Sequence, residues 1–242
     1  MVYEGNKYTY DSLYGADHIG VSVLGMLVMK YKLVIFDMDG TVLDTLRDLT
    51  DSVNYILEKH NMPTHDIEKI KYFVGNGIHK LIERAVLPGT DSELLECIYE
   101  EFLVYYKEHC HIKTAPYDGI PELIKELRKK GYLTAIATNK SDSALRELLE
   151  VYFKDLFDCA IGVKEGVNTK PAKDMVEYIL KELNCTKAEA VYVGDSDVDL
   201  LTASNSGIDC IAVSWGFRGR EFLIKHGAKI IADTPLEVIE YV

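Results

Sequence analysis

Four short runs, LVIF (33–36), LTAIA (133–137), AVYV (190–193) and CIAV (210–213), are dominated by apolar residues along their length instead of at alternate positions. A strand that is hydrophobic on both faces must be covered on both faces. A parallel sheet between two layers of helices supplies that environment. CAIGV (159–163) reads as a weaker fifth strand and KIIA (229–232) as a short edge strand. Helical patterns lie between them: Ile120 to Lys130, with Leu123, Ile124 and Leu127 on one face, then Ser143 to Val151 and Ala172 to Leu183. Strands alternating with helices in this way give right-handed βαβ units and an α/β fold.

The interval from 46 to 116 breaks the alternation. It reads as helices only, Leu46–His60, Asp66–Phe73, Gly77–Val86 and Ser92–His109, and it ends near the turn residues Pro116 and Gly119. An all-helical block between the first two strands of a parallel sheet is an inserted subdomain. The α/β core is therefore expected from 29–45 and 117–242, with a helical cap from 46–116. Residues 1–28 are tyrosine-rich and without clear period. They lack the basic start of a signal peptide and are expected to be an extension with little role.

The chain's 242 residues suit one domain with an insertion, or two small ones. Its net charge of −12 makes it a poor general binder of nucleic acid or of anionic membranes. That sum does not bar a small anionic substrate, which feels a local site. Cys97, Cys110, Cys159, Cys185 and Cys210 are scattered and form no CxxC pair, the pattern of reduced thiols in a cytoplasmic protein. No apolar run approaches the roughly 18 residues of a membrane span.

In an open parallel sheet, ligands bind beyond the carboxyl ends of the strands. LVIF is followed by Asp37 and Asp39, LTAIA by Thr138, Asn139 and Lys140, and AVYV by Gly194, Asp195, Ser196, Asp197, Val198 and Asp199; Lys170 and Pro171 precede the helix at Ala172. Carboxylates, a hydroxyl and an amine thus gather at one edge. Crowded carboxylates repel, and a hard divalent cation with oxygen ligands, Mg²⁺ above all beside phosphate, offsets that repulsion. Thr138 and Lys170 are donors suited to phosphoryl oxygens. The set is equipment for phosphoryl transfer: Asp37 the nucleophile, Asp39 general acid and then general base, and Lys170 with the metal neutralising charge. Gly40 allows a sharp turn between them.

DMDGT (37–41), Thr138, Lys170 and GDSDVD (194–199) resemble, in order and spacing, the four motifs of the haloacid dehalogenase superfamily. The resemblance covers residues 30–242, and the helical insertion after the first motif is similar to that of members with an α-helical cap. It implies a Rossmann-like core, Mg²⁺ and an aspartyl-phosphate intermediate. Carried over by position, it implies metal ligands at Asp37, the backbone carbonyl of Asp39, and Asp195, with Asp199 holding metal-bound water or orienting Lys170. Finer features, among them VGNGIHKLIERA (74–85) and VGDSDVDLLTASNSGIDCIAVSWGFR, resemble the phosphoglycolate phosphatase group. They imply a phosphomonoesterase for a small soluble metabolite, phosphoglycolate first among candidates. A β-phosphoglucomutase-like phosphomutase, a pyrophosphatase or a nucleotidase of the superfamily is the alternative, and a phosphoaspartate signalling module a more distant one.

Simpler readings exist for each motif alone. Asp-x-Asp-Gly occurs in calcium loops, yet an EF-hand needs Gly at its sixth position, where counting from Asp37 gives Val42 and from Asp195 gives Leu200. Asp197 is explained by the preference of acidic residues for helix N-termini. Gly75-Asn76-Gly77 is either a flexible turn or a set of backbone N–H groups that, with Asn139, meets a substrate anion. His109 and His111 lie at i and i+2 of a helical stretch and point apart. No P-loop is present.

Overall fold

Leu33, Val34, Ile35 and Phe36 are all fully buried, as a strand between two helix layers should be. The computed structural model describes residues 30–242, so the extension expected at 1–28 lies outside the described residues. The first strand, β1 (Leu33–Phe36), leads through β2 (Leu43–Asp44) into four helices: α1 (Leu46–Lys59), α2 (Ile67–Phe73), α3 (Ile78–Ala85) and α4 (Ser92–His109). The chain returns through β3 (Ala115–Pro116) and continues as α5 (Ile120–Lys129), β4 (Leu133–Ser141), α6 (Asp142–Tyr152), β5 (Cys159–Val163) and α7 (Asp174–Glu182). It finishes with β6 (Ala190–Gly194), α8 (Asp197–Ser206), β7 (Asp209–Val213), α9 (Arg220–Lys225), β8 (Ile230–Ala232) and α10 (Val238–Tyr241).

Six strands form one parallel sheet in the order β5-β4-β1-β6-β7-β8. Side chains of β1 alternate between its faces. Val34 and Phe36 join the apolar cluster that includes Leu123, Ile124 and Leu127 of α5. Leu33 and Ile35 join the cluster of Met175, Val176 and Ile179 from α7. Each such fully buried side chain contributes about 1.5–3 kcal/mol, which is why the run has no polar position.

The strand order reverses at β1, the place where open α/β sheets put their ligands. Phe36 pairs with Ile136 on one side and Val193 on the other. That register brings Asp37, one residue past β1, Asp195, one residue past β6, and Thr138, two residues past the last β4 residue paired with β1, to the same edge.

The helical block folds largely on itself. α1 packs along α4 and α2, and α3 packs on α2 and α4. Asp66 caps α2 by accepting from the N–H of Lys69, and Asp91 accepts from the N–H of Glu93 at the start of α4. Its two connections to the core are β2 and β3, paired antiparallel. This ribbon was not expected, because two-residue strands carry no periodicity.

Helix α7 starts at Asp174, two residues after the expected Ala172. Pro171 therefore lies in the turn before the helix, after a cis peptide bond with Lys170. β8 is one residue shorter than KIIA, and β4 runs on to Ser141. No described helix is long and apolar enough to cross a membrane.

Candidate active site

The turn after β1 is wound around a single carbonyl: Met38 O accepts from the N–H groups of Thr41, Val42 and Leu43. Gly40 adopts φ 85° within it, a conformation that costs glycine little. The turn sends its two aspartates to different partners. Asp37 Oδ1 accepts from the Lys170 ammonium at 2.7 Å and from the Met38 N–H at 2.6 Å. Asp39 instead accepts from the Thr45 hydroxyl at 2.7 Å and lies 3.0 Å from the Lys140 ammonium.

Lys170 is held from several sides. Its Nζ reaches Asp199 at 2.9 Å and the Tyr192 hydroxyl at 3.0 Å as well as Asp37. Its backbone N–H donates to Asn139 Oδ1 at 2.8 Å, and its carbonyl accepts from Asn139 Nδ2 at 3.0 Å. Burial opposes the ammonium charge, but Asp199 and Asp37 outweigh it and hold the Lys170 pKa well above the usual lysine range. Asp199 in turn accepts from the Ser196 hydroxyl at 2.6 Å and the Ser196 N–H at 3.1 Å, closing a capping box at the start of α8.

Asp195 accepts from the Phe217 N–H at 2.7 Å and the Thr41 hydroxyl at 3.2 Å. Asp37, Asp195 and Asp199 bring one carboxylate oxygen each within 4.8 Å of one another. Burial and the charge of Asp199 push the Asp37 carboxyl well up, with Lys170 pulling the other way. Burial and Asp199 likewise push Asp195 up to about 7. Three buried carboxylates with one ammonium therefore carry excess negative charge, which a divalent cation with oxygen ligands relieves. The pocket around Asp195 is also tightly shaped: a β-carbon on Gly216 would fall 2.3 Å from Asp195 Cβ. These residues fit a hard cation held by oxygens.

Asp37, Asp39, Thr138, Asn139, Lys170 and Asp195 all line one cleft, together with Gly75 and Gly77 of the helical block. Asn139 is a strut: its amide donates to Gly75 O at 3.2 Å as well as bracing Lys170. Asn76 turns away from the cleft, its Oδ1 accepting from Arg84 at 2.8 Å. The Thr138 hydroxyl accepts from the Lys140 N–H at 3.2 Å, which leaves its own proton for another acceptor.

Two cleft residues were given no role by the sequence. Lys140, fully buried, also donates to the Tyr106 hydroxyl of α4 at 2.9 Å. Burial works against its charge, but Asp39 and Tyr106 keep its pKa above the usual range. Arg218, in the loop after β7, donates to the carbonyls of Lys71 and Val74 in the helical block, both at 2.7 Å. The signal available for Lys140 was its place two residues after Thr138.

Fold and site together define a doubly wound α/β enzyme with a carboxylate-lined cleft at the strand-order reversal. Residues 34–213 match the haloacid dehalogenase-like hydrolase family, and the chain belongs to that family. A phosphoglycolate phosphatase of Colwellia psychrerythraea is 31% identical over 221 residues, covering 88% of this chain and 98% of that one. An N-acetylmuramic acid 6-phosphate phosphatase of Pseudomonas aeruginosa is 28% identical over 214 residues, covering 88% and 95%. The crystal structure of a candidate phosphoglycolate phosphatase from Lactobacillus delbrueckii subsp. bulgaricus matches with a TM-score of 0.84 and 39% identity, covering 88% of this chain and 98% of that one.

Proposed function

We propose that the protein is a cytoplasmic, Mg²⁺-dependent phosphomonoesterase that hydrolyses a small phosphorylated metabolite through an aspartyl-phosphate on Asp37. Phosphoglycolate is the first substrate to test, because a relative matched over 98% of its own length, and another over 76%, carry that name. The observation that carries the reading is the Lys170 ammonium between Asp37 and Asp199, at 2.7 and 2.9 Å, with Asp195 completing the carboxylate group.

Asp37, Asp195 and the backbone carbonyl of Asp39 would hold the Mg²⁺, which supplies charge neutralisation for the carboxylates and the phosphoryl group. In the first half-reaction an Asp37 oxygen bonds to phosphorus as the ester P–O bond breaks. Asp39, protonated, gives its proton to the departing oxygen. In the second, Asp39 takes a proton from water as the water oxygen bonds to phosphorus and the Asp37–phosphorus bond breaks, releasing inorganic phosphate. Thr138 and Lys170 donate to the phosphoryl oxygens, where negative charge is concentrated. Asp199 keeps Lys170 aimed. The helical block serves as a cap that covers the cleft and selects the leaving group, with Gly75 and Gly77 at its rim.

The test is release of inorganic phosphate, with Mg²⁺, from a panel of esters (phosphoglycolate, N-acetylmuramic acid 6-phosphate, hexose phosphates and nucleoside monophosphates) and from the anhydride pyrophosphate, ranked by kcat/KM. Turnover of one small ester well above the rest is expected. Isomerisation of a hexose phosphate without phosphate release would show a phosphomutase instead, and no turnover of any ester would end the reading.

A further inference from the structure

We infer that Lys140 is the positioning residue for Asp39, and that helix α4 completes this arrangement by presenting the Tyr106 hydroxyl to the same ammonium. The inference rests on the proposed reading of Asp39 as the proton carrier and adds to it a cap residue and a core residue with defined parts.

Lys140 lies on β4, two residues beyond Thr138, with a side chain only 1% exposed. Its Nζ spans both oxygens of Asp39, at 3.0 Å from Oδ1 and 3.3 Å from Oδ2. The Tyr106 hydroxyl accepts from it at 2.9 Å, and the Tyr106 ring centroid lies 4.8 Å away. A buried ammonium is costly unless its protons are placed. Here the turn after β1 and helix α4 place them. Both residues border the cleft, but the Asp39 side chain is 17% exposed there and that of Lys140 only 1%.

This layout fixes where the Asp39 carboxyl points: the Lys140 ammonium meets both of its oxygens and the Thr45 hydroxyl donates to one of them, at the edge of the cleft. Tyr106 accepts from Lys140 without taking the Thr45 or cleft-facing positions of Asp39. Because Tyr106 belongs to the helical block, the proton carrier is fully supported only when α4 is seated on the core. A plain tie between block and core would use the same three residues, so the test must read the proton.

An alkyl phosphate needs a proton on its leaving oxygen, whereas p-nitrophenyl phosphate releases a stable phenolate without one. The experiment measures kcat/KM, which reports transfer to Asp37, for p-nitrophenyl phosphate and for the alkyl phosphate the panel ranks first. In Lys140→Met the alkyl ester should lose roughly 10- to 100-fold while the aryl ester stays within about threefold, the selectivity expected of a crippled acid. Tyr106→Phe should show the same selectivity at smaller size, and Lys140→Arg should regain most of the loss. Equal losses on both esters in a folded Lys140→Met protein would overturn the inference and leave a structural tie. Should that variant not fold, Tyr106→Phe decides alone: selective loss supports, equal or no loss overturns. Asp39→Asn separates the two levels. If it is selective and Lys140→Met is not, only this inference fails; if Asp39→Asn loses equally on both esters, the proton assignment fails with it.

Discussion

Gly40 packs its α-carbon against the carboxylate of Asp195. A β-carbon built there falls 2.5 Å from Asp195 Oδ2, and the residue's φ is 85°. The turn after β1 and the loop after β6 thus meet with no room for a methyl group. Gly40→Ala should cost about 1–3 kcal/mol from backbone strain and displace Asp195 as well. Gly89→Ala, at the same φ but with nothing within 4 Å of its β-carbon, isolates the backbone part. Thermal melts with and without Mg²⁺ check this: both variants should be destabilised, and only Gly40→Ala should lose most of the Mg²⁺-induced rise in Tm.

Asp37→Asn should lower phosphate release by at least about 10³-fold, the scale on which removal of a nucleophile acts. Its fold should persist, because the substitution removes one of three crowded carboxylates. Without metal its Tm should equal or exceed that of the unaltered protein. Substantial remaining turnover in that variant would end the nucleophile assignment.

Asp195 predicts a pH signature for the metal-free protein. Its pKa is raised from 3.8 to about 7, so between those values the folded state binds more protons than the unfolded one. Stability from this group is fully present below the unfolded value and is lost as pH rises through about 7. The loss is on the order of 4 kcal/mol by pH 8. Melts in a chelator should therefore fall between pH 5 and pH 8, and Mg²⁺ should restore most of the difference at the upper end, where Asp195 is ionised. A metal-free Tm that stays flat or rises over that range would contradict the buried carboxylate cluster.

Arg218→Met removes two hydrogen bonds from the core to the helical block and leaves the carbonyls of Lys71 and Val74 without that donor. The expected cost is about 1–3 kcal/mol, concentrated where α2 ends. Hydrogen exchange should quicken in residues 67–77 and change little in β1 and β6. A uniform change across the chain would mean that Arg218 does not act as a brace.

The core could be read from the chain because its strands are enclosed. LVIF has no polar position and its limits were found to the residue, and DMDGT and GDSDVD follow strands whose parallel register brings their ends together. The four helices of the insertion were legible from apolar spacing, within a residue or so at each end. What spacing could not show is how long polar side chains choose partners. Asn139 reads as a substrate contact, yet its amide is engaged by Lys170 and Gly75. Asn76 faces Arg84. Lys140 finds Tyr106 across 34 residues of chain, a contact set by the docking of α4 and by no local pattern.

The paired strands β2 and β3 place the two ends of the helical block side by side, Leu43 opposite Pro116. A segment whose termini are neighbours behaves as a cassette: its length and sequence can be exchanged while the sheet that holds Asp37, Asp195 and Asp199 together keeps its register. On the proposed reading, such a layout would let different inserts be tried on one unchanged reaction centre, because both points of attachment sit on the same two-stranded ribbon.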